Sequence, residues 1–171
     1  MRYAVLGLCV VATACAGQGP TSPVSPSGSS GGVAVTEARG ASELLFKGTL
    51  ETVESITGSP PVLQDVLTGT GQATHLGRFT ATFTYDIDLE QLTSNGSFTL
   101  IAANGDSISG PLTGEGGTPS NGVLPIVETA IITEGTGRFA SATGSFRIDR
   151  LHDQATFRGS GSFAGTINLG H

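Results

Sequence analysis

The chain has 171 residues and a formal net charge of −6, and only 13% of its residues are charged. This acidic balance argues against nucleic acid as a partner, because phosphate binding needs a basic face. Its 26 glycines, the absence of Trp, and Phe, Val, Ile and Thr spread along the chain favour many short strands and turns over helices.

The first 14 residues are predicted to be a secretory signal peptide. A short positive start, Met1-Arg2-Tyr3, precedes an apolar, small-residue run at 4–14 that is too short to anchor stably in a bilayer. No later segment approaches the roughly 20 apolar residues of a membrane helix, so the body of the protein is expected to be soluble. The chain is therefore expected to be exported.

The end of this segment resembles the lipobox of bacterial lipoproteins. In residues 11–15 (VATAC), small residues precede Cys15, which in that family is lipidated and becomes the first residue of the mature chain. The family usually has Leu where Ala12 stands, and residues 12–14 also fit an ordinary cleavage site that would release a soluble secreted or periplasmic protein. Because a flexible segment follows, lipidation of Cys15 is the leading expectation, with the membrane as a partner through this anchor.

Residues 15–40 are predicted to be a lipid-anchored tether. The part from 16 to 32 is rich in Gly, Ser and Pro, and it has too little to bury to offset its ordering entropy. By resemblance to Gram-negative lipoproteins, Ala16 rather than Asp after the Cys favours the outer membrane, facing the periplasm or the cell surface. Cys9 is lost with the signal peptide, so no disulfide can form within the mature chain.

From about residue 41 the apolar residues recur with period two, and 41–171 is predicted to be one β-domain. The clearest strand is 72–87, of which one face carries Phe79, Ala81, Phe83, Tyr85 and Ile87. Residues 62–67 are either a short strand or one helical turn. The other strands are expected at 44–53, 97–103, 106–112, 123–133, 142–151 and 155–169.

Two Asn-Gly pairs, at 95–96 and 104–105, are predicted to be hairpin turns, because both central residues of a type I′ turn need a positive φ. Residues 114–122 are expected to be a polar loop. In the last strand, glycines alternate with aromatic residues on one face, which suits a sheet that curves sharply or closes. The predicted fold class is therefore all-β, a small antiparallel eight-stranded barrel, with a β-sandwich as the alternative.

The stretch GTGRFASATGSF at 135–146 is expected to organise these strands. Gly135 or Gly137 is predicted to have a positive φ, and Gly144 to let neighbouring strands lie close. The stretch contains no evident nucleophile, metal cluster or general base.

Three blocks together resemble a group of exported bacterial proteins: 71–80 (GQATHLGRFT), 102–106 (AANGD) and 135–144 (GTGRFASATG). The third is similar to the GGTG-x-F-x-x-A-x-G turn of dirigent proteins and of allene-oxide-cyclase-like barrels. This resemblance implies an eight-stranded antiparallel barrel with an apolar cavity. Glu134 stands where the dirigent pattern often has Gly. No catalytic residue of either enzyme family aligns here, so none is carried over.

Histidines and acidic residues offer weak site signals. His75, His152 and His171 have no ligand spacing between them, and His152 is predicted to lie on the surface in a loop. Asp86, Asp88 and Glu90 share a strand face that could hold Ca²⁺, but no Gly-punctuated loop would wrap the ion, so a solvated face is expected. The sequence indicates no metal and no cofactor.

Arg78 and Arg138 are the candidate ligand-binding residues. Each precedes a Phe after a glycine-rich turn, so both could lie at a cavity mouth and bind an anionic ligand by bidentate contacts. The alternative is that they pair with acidic residues such as Asp106 or Glu134, or cover apolar surface with their stems.

The leading functional hypothesis is a non-catalytic, lipid-anchored cell-envelope barrel that either binds a small apolar or amphipathic ligand or serves simply as a cell-envelope module. The alternative is a cyclase- or dirigent-type enzyme that steers a reactive intermediate by cavity shape. That mechanism needs few polar groups, so the lack of a catalytic set does not decide between them. A cavity that holds a charged or Tyr side chain opposite an opening would favour the enzyme, and a barrel filled by Phe and Ile would rule it out. The oligomeric state stays open.

Overall fold

The structure is a computed structural model and describes residues 42–170. The predicted signal peptide at 1–14, Cys15, the tether at 15–40 and His171 lie outside the described residues. The described range includes no helix with the length and apolar character that crossing a membrane requires. Its single 3₁₀ helix covers Gly137–Phe139. Its strands are β1 (Leu44–Ser59), β2 (Val62–Ala73), β3 (Gly77–Asp88), β4 (Thr93–Ala102), β5 (Ser107–Gly116), β6 (Val123–Ile132), β7 (Glu134–Gly135), β8 (Thr143–Asp153) and β9 (Arg158–Asn168).

Eight of these strands close into an antiparallel barrel. Around the barrel, β1, β2, β3, β4, β5, β6, β8 and β9 follow one another, and β9 pairs with β1. In that last pairing Leu44 lies opposite Ile167. The two-residue strand β7 adds to β5, where Gly135 lies opposite Ile108. The predicted all-β, eight-stranded antiparallel barrel is confirmed.

Alternating residues of each strand point into the barrel, as the period-two pattern of 72–87 predicted. Phenylalanine rings fill one part of the interior in edge-on and tilted contacts, with 5.2 Å between the ring centroids of Phe46 and Phe146 and 5.3 Å between those of Phe98 and Phe146. Such contacts add to the stabilisation that burial of apolar area provides. The largest fully buried apolar side chains are Phe46, Phe83, Phe98, Phe139, Leu67, Leu100, Ile108, Ile132, Ile148 and Ile167.

Several strand limits differ from the predictions. Residues 62–67 belong to a strand, because β2 runs on to Ala73 against both β1 and β3. The predicted strand at 72–87 is interrupted between Ala73 and Gly77, where Leu76 N donates to Thr74 O at 2.7 Å in a turn. Neither the short apolar run at 62–67 nor the turn at 74–76 showed in the sequence where a long strand ends.

One of the two predicted hairpin turns is wrong. Asn95 and Gly96 lie inside β4, where Gly96 is opposite Tyr85. A Cβ at Gly96 would overlap the carbonyl oxygen of Thr84, so this glycine permits close strand contact instead of a turn. The other pair does turn the chain between β4 and β5, but only Gly105 has a positive φ, at 91°. The predicted polar loop at 114–122 is also shorter, because β5 continues to Gly116.

The glycine-rich stretch crosses one end of the barrel, where β6 ends and β8 begins. Phe139 enters the hydrophobic core and is 1% exposed. Thr136 N donates to Ser107 O at 2.9 Å, which ties the stretch to β5. Gly137 has a φ of 57°, as predicted for one of the two candidate glycines. At Gly144 a Cβ would overlap Thr166 O, so the expected close approach of strands is present.

Gly137→Val should destabilise the fold by about 2–4 kcal/mol. The positive φ alone costs an L side chain about 1–2 kcal/mol, and a β-branched residue more. In addition, the new Cβ would overlap the Asp106 carboxylate. Urea unfolding measures the loss. Gly122→Val is the matched control: Gly122 has a φ of 78° but no atom within 4 Å of the added Cβ, so its loss should be smaller. Equal losses would show that contact with Asp106 does not matter.

Candidate functional site

A group of buried polar side chains occupies the end of the barrel interior away from the glycine-rich stretch. They project inward from strands that are far apart in sequence, among the alternating positions that elsewhere carry phenylalanine and isoleucine. We call them the polar cluster, defined as Thr52 and Glu54 on β1, Asp65 on β2, Tyr85 on β3, Glu128 on β6, and Arg150 and His152 on β8.

Arg150 is the centre of the polar cluster. Its Nη2 donates to Glu128 Oε1 at 3.1 Å and its Nη1 donates to Glu54 Oε1, so one guanidinium joins two carboxylates. The side chains of all three residues are at most 4% exposed. Burial acts to lower the pKa of Arg150, but the carboxylate of Glu128, with further help from Glu54, holds that pKa above its usual range. Arg150 therefore stays charged.

Tyr85 is fixed by the same carboxylate. Its hydroxyl donates to Glu128 Oε1 at 2.7 Å inside the barrel. Burial raises the pKa of Tyr85 well above its ordinary value, and the negative charge of Glu128 raises it further. The phenol is therefore a neutral hydrogen-bond donor at physiological pH.

Asp65 is one of three cluster members that have a buried polar atom without a hydrogen-bond partner. Asp65 is 3% exposed, and its Oδ1 has no hydrogen-bond partner among residues 42–170. Burial, together with the nearby Glu54 carboxyl, raises the pKa of Asp65 to about 6. Because an unpaired buried carboxylate costs free energy, Asp65 favours a proton or an incoming hydrogen-bond donor.

Two more buried polar atoms of this region lack a partner within the part of the chain that the structure describes. Thr52 Oγ1 makes no hydrogen bond. His152 Nδ1 lies 3.0 Å from Glu54 Oε1 but without hydrogen-bond geometry. Unsatisfied buried polar atoms are uncommon in folded proteins, and several in one place are typical of sites that bind a ligand or ordered water.

The prediction that His152 lies on the surface is wrong. His152 is 6% exposed, because β8 extends to Asp153 and its inward face continues from Phe146 through Ile148 and Arg150 to His152. Charged residues on the apolar face of an alternating strand were the signal that could have identified this site. The same signal is present in β6, where Glu128 precedes Ala130 and Ile132 on the inward face.

Arg78 and Arg138 do not join the polar cluster. Arg78 lines an outer groove of about 860 Å³ that extends across β9 and β1–β4, beside Gln72 and Thr80. Arg138 is half-exposed; its Nε lies 3.7 Å from Asp106 Oδ2 and its guanidinium lies over the Phe139 ring, 4.8 Å from the centroid. A ligand contact for either arginine stays a prediction.

The predicted shared strand face of the acidic residues that could have held Ca²⁺ is wrong for Glu90, which lies in the turn after β3. Asp86 and Glu90 are exposed, and Asp88 is half-buried. Asp88 Oδ1 accepts hydrogen bonds from the backbone N–H groups of Glu90 at 2.8 Å and Gln91 at 3.0 Å, so it shapes the β3–β4 turn. Within residues 42–170, no three His, Cys, Asp or Glu side chains are grouped in a way that could hold a metal ion.

The raised pKa of Asp65 should make stability depend on pH. Its folded pKa of about 6 exceeds the ordinary 3.8, so the folded state binds the proton more tightly and stability rises as pH falls from about 6.5 to about 4. Allowing for solvent screening, the gain is about 1 kcal/mol, or about 3–5 °C in Tm. Thermal unfolding of the wild type and of Asp65→Asn over this range tests it. An unchanged slope in Asp65→Asn, or a flattened slope in the exposed control Asp149→Asn, would contradict it.

The comparisons with known proteins agree with the barrel. No protein-family model and no curated protein matches the sequence. Among solved structures, the chain is similar to the pterocarpan synthase dirigent protein GePTS1, with a TM-score of 0.52 and 14% sequence identity. The match covers 73% of this chain and 88% of that one. At this identity the likeness shows a shared dirigent-like barrel fold, and fold alone does not transfer function.

Proposed function

We propose that this chain is an exported cell-envelope lipoprotein whose barrel binds a small amphipathic ligand at the polar cluster. The observation that carries the proposal is the unpartnered, buried Oδ1 of Asp65, with the unpartnered Oγ1 of Thr52 in the same cluster. Buried polar atoms without partners supply the few oriented contacts that fix a ligand in an otherwise apolar site. The phenylalanine-filled part of the barrel supplies the rigid support.

A cost in stability supports this assignment. Three buried carboxyl groups, those of Glu54, Asp65 and Glu128, face the single guanidinium of Arg150. Burying charges in this way is rarely more stabilising than apolar packing of the same volume. Clusters of perturbed, buried titratable groups are more frequent at functional sites, which is the interpretation that we favour here.

Ligand binding is tested with N-phenyl-1-naphthylamine, an uncharged fluorescent probe. The wild type should enhance its fluorescence saturably at one site per chain. Asp65→Asn should weaken that binding several-fold, because it changes the acceptor at the unpartnered oxygen. Asp149→Asn, on the outer face of β8, is the matched control and should leave it unchanged. Absence of saturable binding, or equal loss in both variants, would refute the proposal.

The anchoring half of the proposal concerns Cys15. Cys15→Ala should move the protein from the membrane fraction to the soluble fraction, and it should remove the acyl mass from the mature chain. Cys9→Ala, within the predicted signal peptide, is the control and should leave both unchanged. A wild type without acyl mass, fractionating like Cys15→Ala, would leave simple secretion as the alternative.

A second candidate function is acid–base catalysis of the cyclase or dirigent type. It is favoured by Asp65, whose pKa of about 6 lies close to neutral pH. A carboxyl group both accepts and returns a proton efficiently when its pKa is close to the working pH. A general probe is 2-decalone, whose α-hydrogens exchange into D₂O when a base removes them, as NMR detects. Exchange that follows a pKa near 6 and is lost in Asp65→Asn would support catalysis, and exchange at the buffer rate would exclude Asp65 as an accessible base.

A further inference from the structure

The polar cluster contains more carboxyl groups than its one arginine can pair with. The guanidinium of Arg150 is engaged by Glu128 on one side and by Glu54 on the other. Tyr85 also donates to Glu128. Asp65 receives no such donor at its Oδ1. Above pH 6, where Asp65 is ionised, an incoming group that completes this cluster must therefore donate hydrogen bonds, and a positive charge would be favoured over a neutral donor.

Exposed apolar side chains surround the same end of the barrel. Three backbone hydrogen bonds lie at this end of the barrel: Leu89 N donates to Pro61 O at 2.9 Å, Gly116 N to Leu92 O at 2.8 Å, and Glu54 N to Phe157 O at 2.9 Å. We call the set the apolar rim, defined as Ile56, Val62, Leu89, Leu92 and Phe157, each 37–51% exposed. The rim offers contact to an apolar body outside the cluster.

Phe157 connects the apolar rim to the polar cluster. Its ring centroid lies 6.4 Å from that of His152, and its residue is 47% exposed. Its φ of 55° is a conformation that bulky side chains seldom adopt. Leu92, on another loop of the rim, has the same φ of 55°. Strained residues are kept where the position of the side chain matters, and an aromatic face beside carboxylates is the usual surroundings of an organic cation.

We propose that the ligand class of this barrel is a cationic amphiphile, an organic ammonium whose positive group enters past Phe157 to reach the unpartnered oxygen of Asp65 and whose apolar body lies on the rim. The inference rests on the proposed ligand site and adds the charge of the ligand. The N–H groups of the ammonium supply the donors that Asp65 and Thr52 lack. Its charge offsets the excess of carboxylate, which a carboxylate ligand would increase.

The test compares three probes that share one alkyl chain: octylammonium, octanol and octanoate. Each is titrated by calorimetry below its micelle concentration, at pH 7.5, where Asp65 is ionised, and in 0.15 M salt, which screens long-range attraction to the net charge of −6. Octylammonium should bind at one site per chain, at least tenfold tighter than octanoate, with octanol between them.

Two variants assign the preference to the cluster. Asp65→Asn should lower the affinity for octylammonium to about that for octanol, while octanol still binds. Asp86→Asn removes the same charge from the exposed face of β3, one residue from Tyr85, and should leave the preference intact. Phe157→Leu should weaken octylammonium more than octanol, because it keeps an apolar side chain but removes the ring.

Each outcome decides something different. Octanoate binding as tightly as octylammonium would overturn the cationic class while the ligand site itself stands. Equal effects of Asp65→Asn and Asp86→Asn would attribute the preference to surface charge and also overturn the inference. No binding by any of the three probes would refute the proposed ligand site together with it.

Discussion

Replacing Arg150 with methionine should destabilise the barrel by about 3–5 kcal/mol at pH 7.5, enough to unfold much of a domain of ordinary stability. The variant keeps the length of the side chain but leaves Glu54 and Glu128 without the cation that each contacts. Uncompensated buried carboxylates are among the most destabilising groups in a protein interior. Urea unfolding followed by circular dichroism measures the loss.

The control is Arg147→Met on the same strand. Arg147 pairs with Asp149 at 2.8 Å, but both side chains are about 60% exposed, so the loss should be at most about 0.5 kcal/mol. Adding Glu128→Gln to Arg150→Met should recover part of the stability, because it removes one of the stranded charges. A loss as small as that of Arg147→Met would contradict the role of Arg150 as the cation that compensates Glu54 and Glu128.

Phe83→Ala should cost about 3–5 kcal/mol, the range for deleting a fully buried aromatic ring. Phe83 is 2% exposed, and its ring stacks on that of Tyr85 with centroids 6.2 Å apart. The change therefore leaves a cavity beside the residue that fixes Glu128, and ligand binding at the polar cluster should weaken along with stability.

Thr82→Ala is the matched control for Phe83. Thr82 is the preceding residue on β3 and points to the outer face, so its replacement should change stability by no more than about 0.5 kcal/mol. Both variants are compared by urea unfolding under the same conditions. Similar losses at the two positions would contradict the inward orientation of Phe83.

The strand faces could be predicted because they depend on local alternation. In β3, Phe79 to Ile87 alternate with polar residues, and the structure buries that face. The Asn-Gly pair at 95–96 misled because its composition is that of a turn, whereas Gly96 is needed inside β4 for contact with β3. A glycine can indicate either a turn or a close approach of two strands, and only the strand pairing shows which of the two applies.

The polar cluster could not be predicted from any one segment. Its carboxylates come from β1, β2 and β6, while the arginine that joins two of them comes from β8. Each residue alone looks like an ordinary polar position, and only the closing of the barrel brings Glu54 within reach of Arg150. The pattern could have placed Arg150 and His152 on the inward face, but the partners of that face depend on long-range register.

The pairing of β1 with β9 joins the two ends of the domain, so we expect it to form late in folding. β1 can pair with its second neighbour only after β9, the last strand, has been synthesised. Such long-range contacts form slowly, because chain entropy must be lost before they are made. A chain of this topology stays open while its C-terminal part is still being synthesised. That delay suits a protein that, as proposed above, is exported. Because β9 pairs with both β1 and β8, its loss would leave each of those strands with an unpaired edge.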